Sequence, residues 1–338
     1  MKLTRRQAVL GALAAPAILR VGAAQAATSL KISHQFPGGT IEEGDFRDRL
    51  CRRFASEVEK RTGGALRFDV YPNSSLMKTK AQFAALRRGA LDMSLVPLAY
   101  AGGEVHACNI GLMPGLVTSY AQGAQWRTAE VGKALSAILE SKGVRILSWI
   151  WQAGGVASRG EPVTAPESVK GIKIRGGSRE MDRMFATAGA QVSTMPSNEI
   201  YIGMQTGALN AAVTSSTSLI SFHLEELAKS LTAARNGSFW FMLEPLMIST
   251  AIFDALPEDQ RKVIVDVGAE MEPWGMGQAK LDDDKVAEVY AAKGVKVVDF
   301  TDANLAAWRQ IAETGSWKDF SANSPEDAEL LKLALKVG

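Results

Sequence analysis

The residues best suited to chemistry in this chain lie between Lys170 and Ser218. Arg175 ends the β-prone run Ile172–Ile174, and a hydroxyl cluster, Thr214, Ser215, Ser216, Thr217 and Ser218, ends the run Leu209–Thr214. A guanidinium is a planar cation that pairs with a carboxylate through two parallel hydrogen bonds. Hydroxyls beside it add neutral donors. The combination describes a pocket for an organic anion. The chain has no G-x-x-x-x-G-K-[ST] phosphate loop, no G-x-S-x-G elbow, no H-E-x-x-H and no strand-bound G-x-G-x-x-G. Its histidines, His34, His106 and His223, are scattered without ligand spacing, so neither a metal nor a cofactor is expected. A binding protein, not an enzyme, is the simpler account.

The surrounding residues supply the elements that position this pocket. Gly176-Gly177 makes a turn, and Ser178 is placed to cap a helix carrying Met181, Met184, Phe185 and Ala188 on one face. Gly189 stops it. Gln191 to Thr194 reads as a second strand, Pro196-Ser197 starts a second helix, and Gly207 ends that one. In open α/β sheets, ligands sit beyond the carboxyl ends of the strands, where helix N-termini offer free N–H groups. Arg175, Ser197, Thr214, Ser215 and Ser216 are therefore the candidates, with one hydroxyl of the cluster serving as a helix cap. Trp151 alternates with Trp149 before the crossing Gln152–Gly155, and Phe239-Trp240-Phe241 stands at a return crossing. Crossings border the cleft in this architecture, so Trp151, Phe239 and Trp240 join the candidates against a default of core packing. Gln35, Tyr100 and Glu104 follow earlier strands and rank behind these.

The N-terminal half builds a parallel sheet covered on both faces. Strands are expected at Ser29–Gln35, Leu66–Tyr71 and Leu91–Val96, with helices at Asp45–Arg61 and Lys80–Arg88 between them. One helix is expected from Ala121 to Ser141 and a strand from Val144 to Ile150. Pro257-Glu258-Asp259 opens a long helical pattern to about Ala292, with Pro273 expected to kink it. A strand at Val295–Val298 and two short helices finish the chain.

Composition bounds the partners. The 338 residues are 46% apolar and 22% charged, with a net charge of +2, which gives no electrostatic case for nucleic acid or an anionic membrane. No stretch past the N-terminus is apolar for long enough to span a bilayer. Lys2, Arg5 and Arg6 precede the apolar run Ala8–Val21, and Ala24-Gln25-Ala26 is a small-x-small cleavage site, so residues 1–26 read as an export signal. Thr4 to Leu10 resembles the twin-arginine motif, with Sec export the alternative because Ala8 stands where that motif prefers a large apolar residue. Either route ends in the periplasm. Cys51 and Cys108 are expected as buried free thiols, one disulfide being the alternative in an oxidising compartment.

Three groups of residues resemble a known family. They are Phe54–Gly64 with Val70-Tyr71-Pro72 and Leu86–Met93, then Gly171–Arg175 with Met195–Tyr201 and Gln205-Thr206-Gly207, then Leu256–Asp259. Together they resemble the solute-binding subunits of TRAP (tripartite ATP-independent periplasmic) transporters, over nearly all of the chain past its signal. The resemblance implies a periplasmic binding protein type II-like fold: two α/β domains joined by crossing strands and a long spanning helix. It places residues 27–152 with about 241–280 in domain I, and 153–240 with about 281–338 in domain II. It implies capture of a small organic acid by a monomer and delivery to small and large membrane subunits that use an ion gradient. Arg175 takes the position of the family's carboxylate clamp.

The departures from the family also carry expectations. Gly155 stands where many members have a second arginine, Thr214 where a pocket asparagine is frequent, and Ser197 where an aromatic is frequent. Arg179 is a replacement cation or simply faces solvent. The expected ligand is a monocarboxylate, aromatic or hydroxylated, rather than a dicarboxylate or a sialic-acid-like molecule. The competing readings are a binding protein serving an ABC permease or a sensor, an exported enzyme acting on an organic acid, and a non-transport scaffold.

Overall fold

A computed structural model describes residues 27–337, so the export signal read at residues 1–26 lies outside the described residues. The first part of the chain runs β1 (Thr28–His34), α1 (Phe46–Arg61), β2 (Leu66–Tyr71), α2 (Gln82–Arg87) and β3 (Met93–Leu95). Two helices, α3 (Tyr120–Gln125) and α4 (Glu130–Ser141), lead to β4 (Val144–Ser148) and the long β5 (Trp151–Ser158). Then come β6 (Lys173–Arg175), α5 (Arg179–Thr187), β7 (Gln191–Val192), α6 (Ile200–Gln205), β8 (Ala211–Ser215), α7 (Ser216–Ser221) and β9 (Ser230–Ala233). The chain returns through β10 (Phe241–Leu243) and β11 (Leu246–Ser249) to α8 (Thr250–Ala255) and α9 (Glu258–Ala292). It ends with β12 (Lys296–Asp299), α10 (Asp302–Ala312), α11 (Lys318–Asn323) and α12 (Pro325–Ala334).

These strands form two sheets, each the centre of one lobe. The first has the order β2-β1-β3-β11-β4, the second β12-β9-β5-β8-β6-β7 with β10 on β5. In the first, β1, β2 and β3 are parallel, and β11 enters antiparallel. Strands cross between the lobes twice, at β4 to β5 and at β10 to β11, and α9 then carries the chain back to β12 of the second sheet. The 35-residue α9 packs on α1 and β4 of the first lobe and on α7, β5 and β9 of the second. At 1.5 Å per residue it is about 50 Å long, enough to bridge both lobes. It runs unbroken past Pro273, whose ring removes one hydrogen bond from an otherwise intact ladder.

Local chemistry explains the two units before β8. The Ser178 hydroxyl caps α5 by accepting from the Met181 amide at 3.1 Å. Gly189 follows α5 with φ of +90°, a region that side chains other than glycine avoid. The chain then turns back so that β7 lies parallel to β6, with Lys173 opposite Gln191.

Three features differ from expectation. Ala121–Ser141 is not one helix: it breaks after Gln125, and the Trp126 indole turns into the core. Gly132 sits so close under this break that a Cβ there would lie 1.8 Å from the Trp126 carbonyl oxygen. Apolar spacing persists across the break, so periodicity alone does not reveal it. Second, α12 packs on α4 and on the turn His106–Leu112 of the first lobe, whereas the family resemblance places about 281–338 in the second. Third, β10 belongs to the second sheet while β11 belongs to the first, so the return crossing falls between Leu243 and Leu246. Cys51 and Cys108 are free thiols buried in separate core clusters, and burial pushes both thiols up.

Candidate functional site

Arg175 stands at the carboxyl end of β6 with 1% of its surface exposed. Its Nε donates to the Met195 carbonyl at 3.0 Å, one Nη to the Val213 carbonyl at 2.8 Å and the other to the Tyr100 hydroxyl at 2.8 Å. A guanidinium has five N–H donors, so one on each terminal nitrogen is left over for an anion. The turn after Arg175 is fixed from two sides. Asp182 accepts from the Gly176 amide at 3.0 Å and from the Thr194 hydroxyl at 2.6 Å, and burial pushes its carboxyl up. Trp240 donates its indole N–H to the Gly176 carbonyl at 3.1 Å. The Trp240 ring lies flush against β5: a Cβ on Gly154 would come within 2.3 Å of it.

Tyr100 reaches this turn from the first lobe. Its oxygen also accepts from the Ser197 amide at 2.9 Å, so Ser197 contributes backbone rather than hydroxyl. Thr214 is buried on β8 next to Val213, opposite Gly155. Gly155 has no room for an arginine side chain, since a Cβ would lie 2.4 Å from the Thr232 carbonyl oxygen. Arg179 is largely exposed and 4.0 Å from Glu180, on the solvent side of its helix.

The second buried cation comes from α1, the helix expected at Asp45–Arg61, none of whose residues stands among the sequence candidates. Arg47, in the first turn of α1, is 1% exposed. Asp45 takes its Nε at 2.9 Å and an Nη at 2.7 Å. The other Nη reaches Ser218 Oγ at 3.0 Å, Ser215 Oγ at 3.3 Å and Glu244 at 3.4 Å. Its guanidinium carbon lies 3.6 Å from the Phe36 ring centroid, a cation–π contact. A signal for it exists in the sequence. An arginine in a first helical turn opposes the helix dipole and needs an anionic partner to be held there.

Glu244 is fully buried, and Gln152 Nε2 donates a short hydrogen bond to it. Burial pushes its carboxyl up to about 7 despite Arg47. The other Glu244 oxygen, Gln152 Oε1 and both polar atoms of Gln35 are buried without a hydrogen-bond partner among the described residues.

Other candidates go elsewhere. Ser215 caps α7 by accepting from the Ser218 amide at 3.2 Å. Ser216 does not face the Arg175 turn: its hydroxyl donates to Asp283 at 2.6 Å and ties α7 to α9. Trp151 is a core residue, its ring centroid 4.9 Å from that of Trp126. Phe239 is also core, packed against Phe185, Phe300 and Trp308. Glu104 is exposed and pairs with Arg87 at 3.1 Å. The structure therefore gathers Arg175, Ser197, Thr214, Trp240 and Tyr100 around one turn and sends Trp151, Phe239 and Ser216 away from it.

A groove of about 620 Å³ opens between the lobes beside Tyr100, Ser178, Thr194 and Met195. Another of about 480 Å³ opens beside Asp45, Phe46, Thr217 and Ser221. Among the described residues, His223, Glu225 and Glu226 bring ligating atoms within 4.8 Å of one another on the turn after α7. They share no residue with the Arg175 cluster. No helix among the described residues is long and apolar enough to cross a membrane.

The family model described as "Bacterial extracellular solute-binding protein, family 7" matches residues 40–323. A solute-binding protein of Albidiferax ferrireducens is 59% identical over 332 residues, covering 98% of each chain. The C4-dicarboxylate-binding periplasmic protein DctP of Rhodobacter capsulatus is 28% identical over 91% of this chain and 92% of its own. Among solved structures, a TRAP periplasmic solute-binding protein from Rhodoferax ferrireducens, with bound malonate, superposes with a TM-score of 0.90. It is 61% identical, over 91% of this chain and 98% of that one. The chain belongs to family 7 of the bacterial extracellular solute-binding proteins, the solute receptors of TRAP transporters.

Proposed function

We propose that this protein closes its two lobes over a small organic carboxylate in the periplasm and delivers it, unchanged, to the small and large membrane subunits of a TRAP transporter. The observation that carries this reading is Arg175, a buried guanidinium with two N–H groups to spare, bonded across the cleft to Tyr100. A buried cation with unused donors is costly without an anion and well matched to a carboxylate. The ligand we favour is a short dicarboxylate, in place of the monocarboxylate expected from Gly155. Two observations support the change: Arg47 is a second buried guanidinium near the same strand end, and the relative at 61% identity holds malonate. Calorimetric titration of malonate, succinate and a set of monocarboxylates tests the reading. Malonate is expected to bind with 1:1 stoichiometry and to be recovered intact after prolonged incubation. If no acid in the set binds, the reading fails; if malonate is consumed, the protein is an enzyme.

A further inference from the structure

The two buried guanidiniums grip the same strand end. Arg175 donates to the Val213 carbonyl and Arg47 to the Ser215 hydroxyl. Two residues along a β-strand span about 7 Å, within the reach of a short dicarboxylate and its hydrogen bonds. Arg47, however, is not a free charge, because Asp45 occupies its Nε and one Nη. The group with capacity to spare at this end is Glu244. Gln152 Nε2 and Arg47 hold its Oε2, while its Oε1 has no donor, and neither has Gln152 Oε1. A buried carboxylate oxygen left without a donor costs free energy. A carboxylic acid at the same place turns that oxygen into a donor and asks for an acceptor.

We propose that Glu244 is the second ligand contact: it binds as the carboxylic acid and donates its proton to the far carboxylate of a short dicarboxylate, while Gln152 fixes its other oxygen. This rests on the carboxylate reading above. The charged and titratable groups facing Glu244 are Arg47, Asp45 and Cys51 from α1, with Gln152 donating from β5. Burial raises its carboxyl most, Arg47 and Gln152 pull it down, Asp45 pushes it up, and the balance is about 7. Above that pH the empty site holds a carboxylate. Binding a dianion then takes one proton from solvent onto Glu244, and the only covalent change is that O–H bond. A monocarboxylate without a second acceptor leaves this O–H unpaired, so the site selects for the dicarboxylate.

The test is titration of the full-length mature protein with malonate at pH 7 and pH 9, in two buffers of unequal ionisation enthalpy. Wild-type affinity is expected to fall by about tenfold per pH unit above pH 7, with uptake approaching one proton per ligand at pH 9. The Glu244→Gln variant, whose amide still donates, is expected to bind with a flat pH profile and no proton uptake. A wild-type profile that is flat with no uptake overturns the inference, and needs no variant to be read. A Glu244→Gln protein that keeps the wild-type pH slope also overturns it. Absence of malonate binding to wild type at both pH values removes the carboxylate reading beneath it instead.

Discussion

Tyr100 of the first lobe and Arg175 of the second are joined by a 2.8 Å hydrogen bond, and the same phenol oxygen accepts the Ser197 amide at 2.9 Å. One side chain thus ties the candidate clamp and the start of the following helical turn to the opposite lobe. Closure and ligand capture share a contact, so whatever orients Arg175 also stabilises the apposed lobes.

Tyr100→Phe should therefore weaken malonate binding by about tenfold, the worth of one hydrogen bond to a charged group, while the melting temperature of the unliganded protein barely moves. Small-angle scattering should show a more open average shape. Affinity equal to wild type would mean that the phenol does not matter to the liganded state.

Arg175→Ala should cost about 2–5 kcal/mol of ligand affinity, because it leaves a buried carboxylate unpaired. Arg175→Lys should not restore it, since an ammonium cannot serve Met195, Val213, Tyr100 and a ligand fork together. Calorimetry decides, and an alanine variant that binds normally would rule out the clamp.

The two tryptophans separate core from cleft. Trp151→Ala should lose about 3–5 kcal/mol of stability through the cavity left beside Trp126, with affinity of the folded fraction unchanged. Trp240→Ala should lower affinity as well, because its indole N–H fixes the Gly176 carbonyl beside Arg175. Equal effects of the two substitutions on affinity would contradict these placements.

Glu180 supplies a pH signature independent of ligand. It is 1% exposed in the first turn of α5, 4.0 Å from His106, which in turn pairs with Asp327 at 3.0 Å. Burial pushes its carboxyl up to about 7, against the pull of Arg179 and Arg183. A folded-state value above the unfolded one, about 4.3, means that the fold prefers the proton. The resulting penalty is absent below that value, grows as pH rises towards about 7, and is then constant, amounting to roughly 4 kcal/mol. Glu180→Gln should flatten the fall in melting temperature between pH 5 and pH 8 relative to wild type. A variant as pH-sensitive as wild type would show that the carboxyl titrates normally.

How much of the site was legible follows from range. Ser178 was readable as a helix cap, and one hydroxyl of the Thr214–Ser218 cluster as another, because a cap bonds an amide three residues on, within one stretch of sequence; the structure gives the second cap to Ser215. Gly189 was readable as a stop because its backbone conformation is local. Arg175 was readable as a cation at a strand end. Gln35 and Tyr100 could be ranked only as following strands, since nothing local says what they face.

Arg47, Glu244 and Gln152 were not legible as a group. Arg47 and Ser215 are 168 positions apart, and Gln152 and Glu244 are 92 apart. No propensity or period links residues at such separations. The tryptophans fail for a related reason. Alternation along a strand says that neighbouring side chains point to opposite faces, but not which face another layer will cover. The sequence by itself determined the caps, the turns, the two α/β units and the arginine at a strand end, because short-range hydrogen bonding and steric limits specify them. Only the tertiary structure decided that Arg47 and Glu244 meet at the end of β8 while Trp151 is core, because burial and charge pairing depend on which distant segments the fold presses together.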